Sequence, residues 1–228
     1  MDGYLRRMVC IPTGLPRLDA IIGGYVGGML HFIYGEEKSG KTSLALLAAA
    51  NAIKLGGKVV WVDCGQRMHV ERLLQVLFTN RADASKLILT PVKDFDEQEI
   101  TIISLLEGTS PSTKLIVLDD YTYLHRIAMK GEVREDAPIF KRLAFQTASL
   151  KEVALTNGIP IIMVGQAHEV PGLGTKPVAS RIVGYWSDVI LRLENTSTGI
   201  RVLKVEKGGP TFEQRFRITD AGVEALGL

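Results

Sequence analysis

The sequence has too few cysteines for a disulfide framework or a four-ligand zinc site. It contains two, Cys10 and Cys64, in 228 residues. Two reduced thiols are the simplest interpretation, and a single bridge between them is the alternative. Long apolar runs are missing as well: the longest, at 43–53, is interrupted by Asn51 and is too short to cross a membrane. The first residues contain no stretch typical of a secretion signal. We therefore expect a soluble, cytoplasmic protein with no membrane partner.

An excess of one charge is also absent. The chain has 27 Lys and Arg residues against 25 Asp and Glu residues, a formal net charge of +2, and 46% of its residues are hydrophobic. These values exclude disordered, collagen-like and coiled-coil chains. They argue against a protein that coats nucleic acid by bulk electrostatics, but they allow a local basic strip. The length and the lack of a linker predict one domain over 1–228, with 1–10 as an extension.

Short apolar runs alternate with amphipathic segments over the first 164 residues. The runs typical of buried strands are 29–34, 58–63, 87–90, 114–119 and 159–164. The segments with helical spacing are 41–55, 69–79, 96–107 and 137–156. After a loop rich in Gly and Pro at about 169–178, strand-like runs follow at 188–194, 199–206 and 213–218. The pattern predicts an α/β fold: a mostly parallel central sheet flanked by helices, with antiparallel C-terminal strands and a hairpin turn at 196–199.

The clearest motif is a glycine-rich loop between the first of these strands and the first of these helices. Residues 35–42 fit the pattern G-x-x-x-x-G-K-[ST] at every required position. In such loops backbone N–H groups face a phosphate, the lysine (Lys41) reaches the β- and γ-phosphates, and the hydroxyl of Thr42 binds Mg²⁺. The sequence therefore predicts a site for a nucleotide and Mg²⁺. Its predicted loop residues are Gly35, Glu36, Glu37, Lys38, Ser39, Gly40, Lys41, Thr42 and Ser43.

A second magnesium ligand is expected at the end of another apolar strand. Asp119 follows four apolar residues at the end of the run 114–119. Ligands of open α/β sheets gather at the carboxyl ends of the strands, so Asp119 is predicted to hold Mg²⁺ through water, together with Thr42. An aspartate that merely ends a strand is the alternative.

These residues and several others resemble the RecA/RadA recombinase family, most closely its archaeal RadA paralogues of the RadB-like type. Ile11-Pro-Thr-Gly14 is similar to the family's approach to the phosphate loop, 159–166 to the strand that ends in a glutamine, and 216–222 to its C-terminal half. The resemblance implies a RecA-like P-loop NTPase core without the N-terminal helical DNA-binding domain. It also implies binding of ATP and single-stranded DNA, assistance or regulation of homologous recombination and DNA repair, and a RadA-type recombinase or other repair protein as partner.

The resemblance places two DNA-contacting loops at about 125–136 and 168–181. The cations expected to meet the DNA backbone are Arg126, Lys130, Arg134, Lys176 and Arg181. An ordinary solvated loop is the alternative for the first segment. Gln166, at the root of the second loop, matches the family's glutamine that responds to the γ-phosphate and repositions the loop. A buried glutamine satisfied by the backbone is the alternative there.

One position departs from the family pattern. In the family, a glutamate two residues after the aspartate that matches Asp63 activates the attacking water, and the corresponding residue here is Gly65. Loss of a positioned base typically costs about 10²–10⁴ in rate, so we expect ATP binding with weak or absent hydrolysis. Asp120 is the candidate replacement base, and Gln66 could orient the water instead.

The sequence leaves two functions and a limited range of assemblies open. The first function is an ATP-binding recombination or repair protein that contacts single-stranded DNA. The second is a regulatory switch whose ATP state acts on protein partners without direct DNA binding. Residues 1–10 lack the Phe-x-x-Ala segment that tethers filaments in the family, so we expect a monomer or a weak homo-oligomer.

Overall fold

The computed structural model describes residues 8–170, 174–196 and 199–227, although the side chains of 168–170 and 174–176 lie outside the description. The strands within these ranges are β1 (Cys10–Ile11), β2 (Tyr25–Val26), β3 (Leu30–Gly35), β4 (Lys58–Asp63), β5 (Leu87–Pro91), β6 (Thr113–Asp119), β7 (Ile161–Val170), β8 (Gly174–Pro177), β9 (Val189–Asn195), β10 (Arg201–Lys207), β11 (Phe212–Thr219) and β12 (Gly222–Ala225). The helices are α1 (Pro16–Ile22), α2 (Lys41–Lys54), α3 (Val70–Thr79), α4 (Phe95–Glu107), α5 (Tyr123–Ala128), α6 (Val133–Asn157) and α7 (Ser180–Trp186), with a 3₁₀ turn at Ala84–Lys86.

The central sheet has the strand order β12-β11-β10-β9-β3-β7-β6-β4-β5, and β8 pairs with β7 alone. The strands from β9 to β5 run parallel in this order, whereas β10, β11 and β12 are antiparallel. The fold class predicted from the alternation is therefore confirmed, including the hairpin between β9 and β10. The parallel register sets Gly35 opposite Gln166 and Asp63 opposite Asp119, which brings four strand ends to one edge.

Helices cover both faces of the sheet because the parallel strands are apolar on both. Side chains alternate along a strand, so Phe32 and Val62 enter one core while Ile33 and Trp61 enter the other. Helices α1, α2 and α3 pack on the Trp61 face, and α4 to α7 pack on the Phe32 face. Helix α2 contains five buried alanines, whose small side chains let it approach the sheet closely. Its N-terminus is thereby fixed at the carboxyl edge of the strands.

Two segments differ from their predictions. The loop predicted at 169–178 instead contributes to an antiparallel hairpin of β7 and β8, because its extended residues pair in register from Ala167 with Pro177 to Val170 with Gly174. The helix predicted from residue 137 begins at Val133 and contains Pro138 near its start. Pro138 is the sixth residue of this helix, beyond the first turn in which a proline loses no hydrogen bond, so one intrahelical N–H bond is missing there. Much of the segment 125–136 is consequently helical.

Both cysteines are free thiols, with Cys10 exposed and Cys64 buried. Across the described ranges, no helix combines the length and the apolar character needed to span a membrane.

Candidate nucleotide-binding site

The glycine-rich loop joins β3 to α2 and leaves the N-terminus of α2 at the edge of the sheet. Its backbone fits only glycine at two points. A Cβ on Gly35 would lie 2.0 Å from the carbonyl oxygen of Leu193, and Gly40 has a φ of 96°. The first N–H groups of a helix have no partner within the helix and carry partial positive charge. The loop therefore presents an anion-binding cradle of the kind predicted for residues 35–43.

Lys41 and Thr42 are the first two residues of α2, and both face the strand ends. The Nζ of Lys41 donates hydrogen bonds to the carbonyl oxygens of Gly35, at 3.0 Å, and Glu36. The hydroxyl of Thr42 donates to both carboxylate oxygens of Asp119 at 3.2 Å. A hydroxyl and a carboxylate side by side are hard oxygen ligands, which suit Mg²⁺. The donor set thus fits the predicted metal.

The carboxyl groups of Asp63, Asp119 and Asp120 lie close together at this edge of the sheet. Burial, and then the neighbouring carboxylates of Asp120 and Asp63, raise the pKa of Asp119 to about 7. Asp63, at the end of β4, accepts hydrogen bonds from the backbone N–H groups of Arg67 at 3.3 Å and Met68 at 3.0 Å. Asp63 therefore anchors the loop that leads into α3, whereas the carboxylate of Asp119 accepts its hydrogen bond from Thr42.

Gly65, Asp120 and Gln166 meet at the same edge. A Cβ on Gly65 would lie 3.2 Å from both the Cβ and the Oδ2 of Asp120, so the two residues share one small space. The Nε2 of Gln166 donates to the Oδ2 of Asp120 at 2.9 Å. Asp120 has a φ of 58°, a left-handed conformation that aspartate and asparagine tolerate better than most residues. The Nε2 of Gln66 donates to the carbonyl oxygen of Val92, directly after β5.

Two cavities of similar size open on either side of Gly65. The first, of about 450 Å³, is the candidate nucleotide pocket; it is bordered by the phosphate loop, the strand ends and the Arg67 side of the loop after β4. The second, of about 470 Å³, lies between the loop after β4 and helices α4, α5 and α6, with Phe95, Tyr123 and Ile139 in its wall. Both volumes are in the range of small-molecule sites.

The first predicted DNA segment is mostly surface, with two buried residues, His125 and Asp136. Arg126 on α5, Lys130 in the connection and Arg134 on α6 are exposed, and Lys130 forms an ion pair of 3.1 Å with Glu135. His125 is fully buried between Phe95 and Phe140, and neither ring nitrogen has a hydrogen-bond partner. Burial lowers the pKa of His125 to about 4. His125 is therefore a core residue rather than part of a DNA-facing surface.

The second predicted DNA segment is only partly described. Lys176 lies on β8 with its side chain outside the described residues, and Arg181 is exposed at the start of α7. The backbone carbonyl of Gln166 accepts a hydrogen bond from the N–H of Val178 at 3.2 Å. The side chain of Gln166 thus faces Asp120 while its backbone holds the base of the β7–β8 hairpin.

Three residues at the site have no signal in the local sequence. Asn195 donates from Nδ2 to the carbonyl oxygen of Glu37 at 2.9 Å, and Arg201 donates from Nε to that of Lys38 at 3.0 Å. The hairpin of β9 and β10 therefore braces the phosphate loop. Arg67 places its guanidinium carbon 4.6 Å from the centre of the Tyr123 ring, on the rim of the nucleotide pocket. These contacts depend on strand order, which sequence spacing does not encode.

The phosphate loop, the adjoining hydroxyl–carboxylate pair and the sheet topology define a P-loop protein with a RecA-like α/β core. The family model described as the RecA N-terminal domain matches residues 5–169. The DNA repair and recombination protein RadB of Methanocaldococcus jannaschii is 30% identical over 211 residues, which are 91% of this chain and 98% of the relative. RadB of Thermococcus onnurineus is 34% identical over 228 residues, covering 94% of this chain and 96% of the relative.

A solved structure agrees with these sequence relatives. The crystal structure of a RadB recombinase superposes with a TM-score of 0.80 at 32% identity, and the match covers 95% of this chain and 100% of that chain. The chain belongs to the RecA family, in its RadB branch.

Proposed function

We propose that this chain binds ATP and Mg²⁺, contacts single-stranded DNA and assists or regulates homologous recombination and DNA repair, with weak ATP hydrolysis. The observation that carries the proposal is the contact of the Thr42 hydroxyl with Asp119 beside the phosphate loop. The relatives in the RadB branch are named for DNA repair and recombination, which supports the process. A RadA-type recombinase, or another repair protein, is the proposed partner.

Each part of the phosphate loop has its own role in the proposed binding of ATP and Mg²⁺. The N–H groups of residues 35–43 bind the phosphates, and Lys41 supplies the cation for the β- and γ-phosphates. Thr42 and Asp119 hold Mg²⁺, the aspartate through water. Mg²⁺ neutralises phosphate charge when bound. Asn195 and Arg201 keep the loop in shape through its carbonyl oxygens.

Weak hydrolysis follows from the space that Gly65 and Asp120 share. Gly65 has no side chain to accept a proton, and the Asp120 carboxylate occupies the adjacent position, where Gln166 holds it by a hydrogen bond. Asp120 is the proposed base and Gln166 its positioning residue. An aspartate is one methylene shorter than the glutamate of the family pattern, so its reach toward a water is smaller. Slow turnover with intact ATP binding is the expected result.

The DNA half of the proposal rests on exposed cations around α5 and α6. Arg126 and Arg134 have no carboxylate partner among the residues described, so their charges are available to phosphates. Lys130 can give up its ion pair with exposed Glu135 for a contact with a DNA phosphate at little cost, because surface ion pairs contribute about 0–1 kcal/mol to stability. Arg181 and Lys176 are the proposed contacts of the second segment. The double contact of Gln166, with Asp120 and Val178, supports coupling between the nucleotide and this segment.

Salt-dependent binding of a fluorescent single strand tests the DNA half. Each backbone contact contributes about 0.7 to the slope of log affinity against log salt, so the combined Arg126→Ala, Lys130→Ala and Arg134→Ala variant is expected to lose about 2 from the slope. A matched variant removes three exposed cations elsewhere, Lys54, Lys58 and Arg215. An unchanged slope in the first variant, or an equal loss in the matched one, would contradict direct contact by α5 and α6.

The same surface favours one alternative, a switch that acts on a protein partner without binding DNA. Ile127, Val133 and Phe140 are exposed there, with Val133 87% accessible, and apolar side chains suit a protein contact better than a phosphate backbone. Absence of DNA binding by the unaltered protein, together with ATP-dependent binding to a RadA-type recombinase that Val133→Ser weakens, would establish this alternative.

A further inference from the structure

Arg67 is a cation without a carboxylate partner at the edge of the nucleotide pocket. Its backbone N–H is fixed by Asp63, but its guanidinium makes no ion pair or hydrogen bond with any described residue. The side chain is exposed, and it passes over Gly65: a Cβ at that position would lie 3.7 Å from the Cγ of Arg67. A larger residue at 65 would fill the space between Arg67 and Asp120. Gly65 therefore gives Arg67 access to the pocket.

The Tyr123 ring holds this arginine in place. The guanidinium carbon of Arg67 lies 4.6 Å from the ring centre, within the range of a cation–π contact. Such stacking limits the conformations of a long side chain while leaving its N–H donors free. An arginine held in this way loses less entropy when it binds a ligand than a freely moving one would.

The position of Arg67 in the pocket indicates which part of a nucleotide it would meet. Lys41 of the phosphate loop lines this pocket, and so do Thr42 and Asp119, which are joined by a hydrogen bond. Arg67 lines the same pocket beside Gly65 and Asp120. The terminal phosphate of a bound nucleotide would lie between Lys41 and Arg67, because the lysine of such a loop reaches the β- and γ-phosphates. A guanidinium offers paired donors that match phosphate oxygens.

We propose that Arg67 binds the terminal phosphate of ATP and makes the site prefer a nucleoside triphosphate to a diphosphate. The inference rests on the proposed nucleotide site and adds the residue that sets its preference. Because Arg67 belongs to the same chain as the phosphate loop, the preference does not require a second protomer. A diphosphate lacks the group that Arg67 binds, so loss of the arginine affects only the triphosphate.

Calorimetric titration with a non-hydrolysable ATP analogue and with ADP, both with Mg²⁺, tests the proposal. Hydrogen bonds to charged groups correspond to about a tenfold to hundredfold change in affinity, so Arg67→Met and Arg67→Gln are expected to weaken the analogue at least about tenfold. Affinity for ADP stays within about twofold. The control Arg215→Met removes another exposed arginine that has no ion pair in the described structure, and it changes neither affinity.

The outcomes separate this proposal from the one on which it rests. Equal weakening of both nucleotides, or no weakening of either, would overturn the role of Arg67 while leaving ATP binding intact. An unaltered protein that binds neither nucleotide would overturn both proposals.

Discussion

Substitution of Asp120 by asparagine removes the proposed base with little change in shape. Asparagine tolerates the φ of 58° at this position, and its amide oxygen can accept the hydrogen bond that Gln166 now donates to Oδ2. Thr42, Asp119 and Lys41 are untouched, so ATP affinity should stay within a few fold. Removal of a positioned general base typically lowers the rate by about 10²–10⁴, and that is the loss expected in the residual hydrolysis.

The shared space at Gly65 makes the reciprocal experiment specific. Gly65→Glu alone sets a second carboxylate against Asp120, since the new Cβ lies 3.2 Å from the Oδ2 of Asp120. Like charges so close oppose each other, so this variant gains little activity. Combination with Asp120→Asn removes the repulsion, and the double variant is expected to hydrolyse ATP faster than the unaltered chain.

Single-turnover release of labelled phosphate is the suitable assay because the rates are slow. Glu107→Gln, at the exposed end of α4 and far from the pocket, serves as the control for loss of a carboxylate. Hydrolysis by Asp120→Asn at the unaltered rate would refute the assignment of Asp120. A double variant no faster than the unaltered chain would refute the explanation based on Gly65.

Two further predictions concern the loop lysine and the buried histidine. Lys41→Ala removes the cation of the phosphate loop and is expected to weaken binding of a non-hydrolysable ATP analogue at least about tenfold, measured by calorimetry; unchanged affinity would contradict the site. His125 and His31 both have a folded pKa lowered by burial to about 4, so they bind protons only in the unfolded chain between about pH 6.5 and pH 4. The contribution of these histidines to the free energy of unfolding is therefore fully present above about pH 6.5 and is lost as the pH decreases. In urea unfolding, His125→Phe should reduce the loss of stability between pH 7 and pH 5 by about 2 kcal/mol. An equal loss in both proteins would refute the lowered pKa of His125.

Local patterns predicted the parts of this chain whose geometry is local. The strand at Lys58–Asp63 has the predicted bounds, because strand ends follow from short-range sequence signals. Asp119 lies near Thr42 as predicted, because the carboxyl ends of parallel strands meet at one edge of the sheet. The same signals predict the start of α6 four residues too late, because proline is typical of the first turn of a helix whereas Pro138 lies in the second turn of α6.

The remaining features depend on contacts between distant segments. Burial of His125 follows from the packing of α4 and α6 around α5, and the bracing of the phosphate loop by Asn195 follows from the pairing of β9 with β3. Arg67 reaches Tyr123 because β4 and β6 are neighbours in the sheet. None of these pairings has a periodicity that a single sequence reveals.

The central claim is that ATP binding and ATP hydrolysis are separated in this chain. One experiment tests it most directly: binding of ATP with Mg²⁺ and phosphate release are measured on the same sample of the unaltered protein, with and without single-stranded DNA. We expect saturable binding of one ATP per chain that requires Mg²⁺, accompanied by slow turnover in both conditions. Rapid turnover, or failure to bind ATP at all, would contradict it.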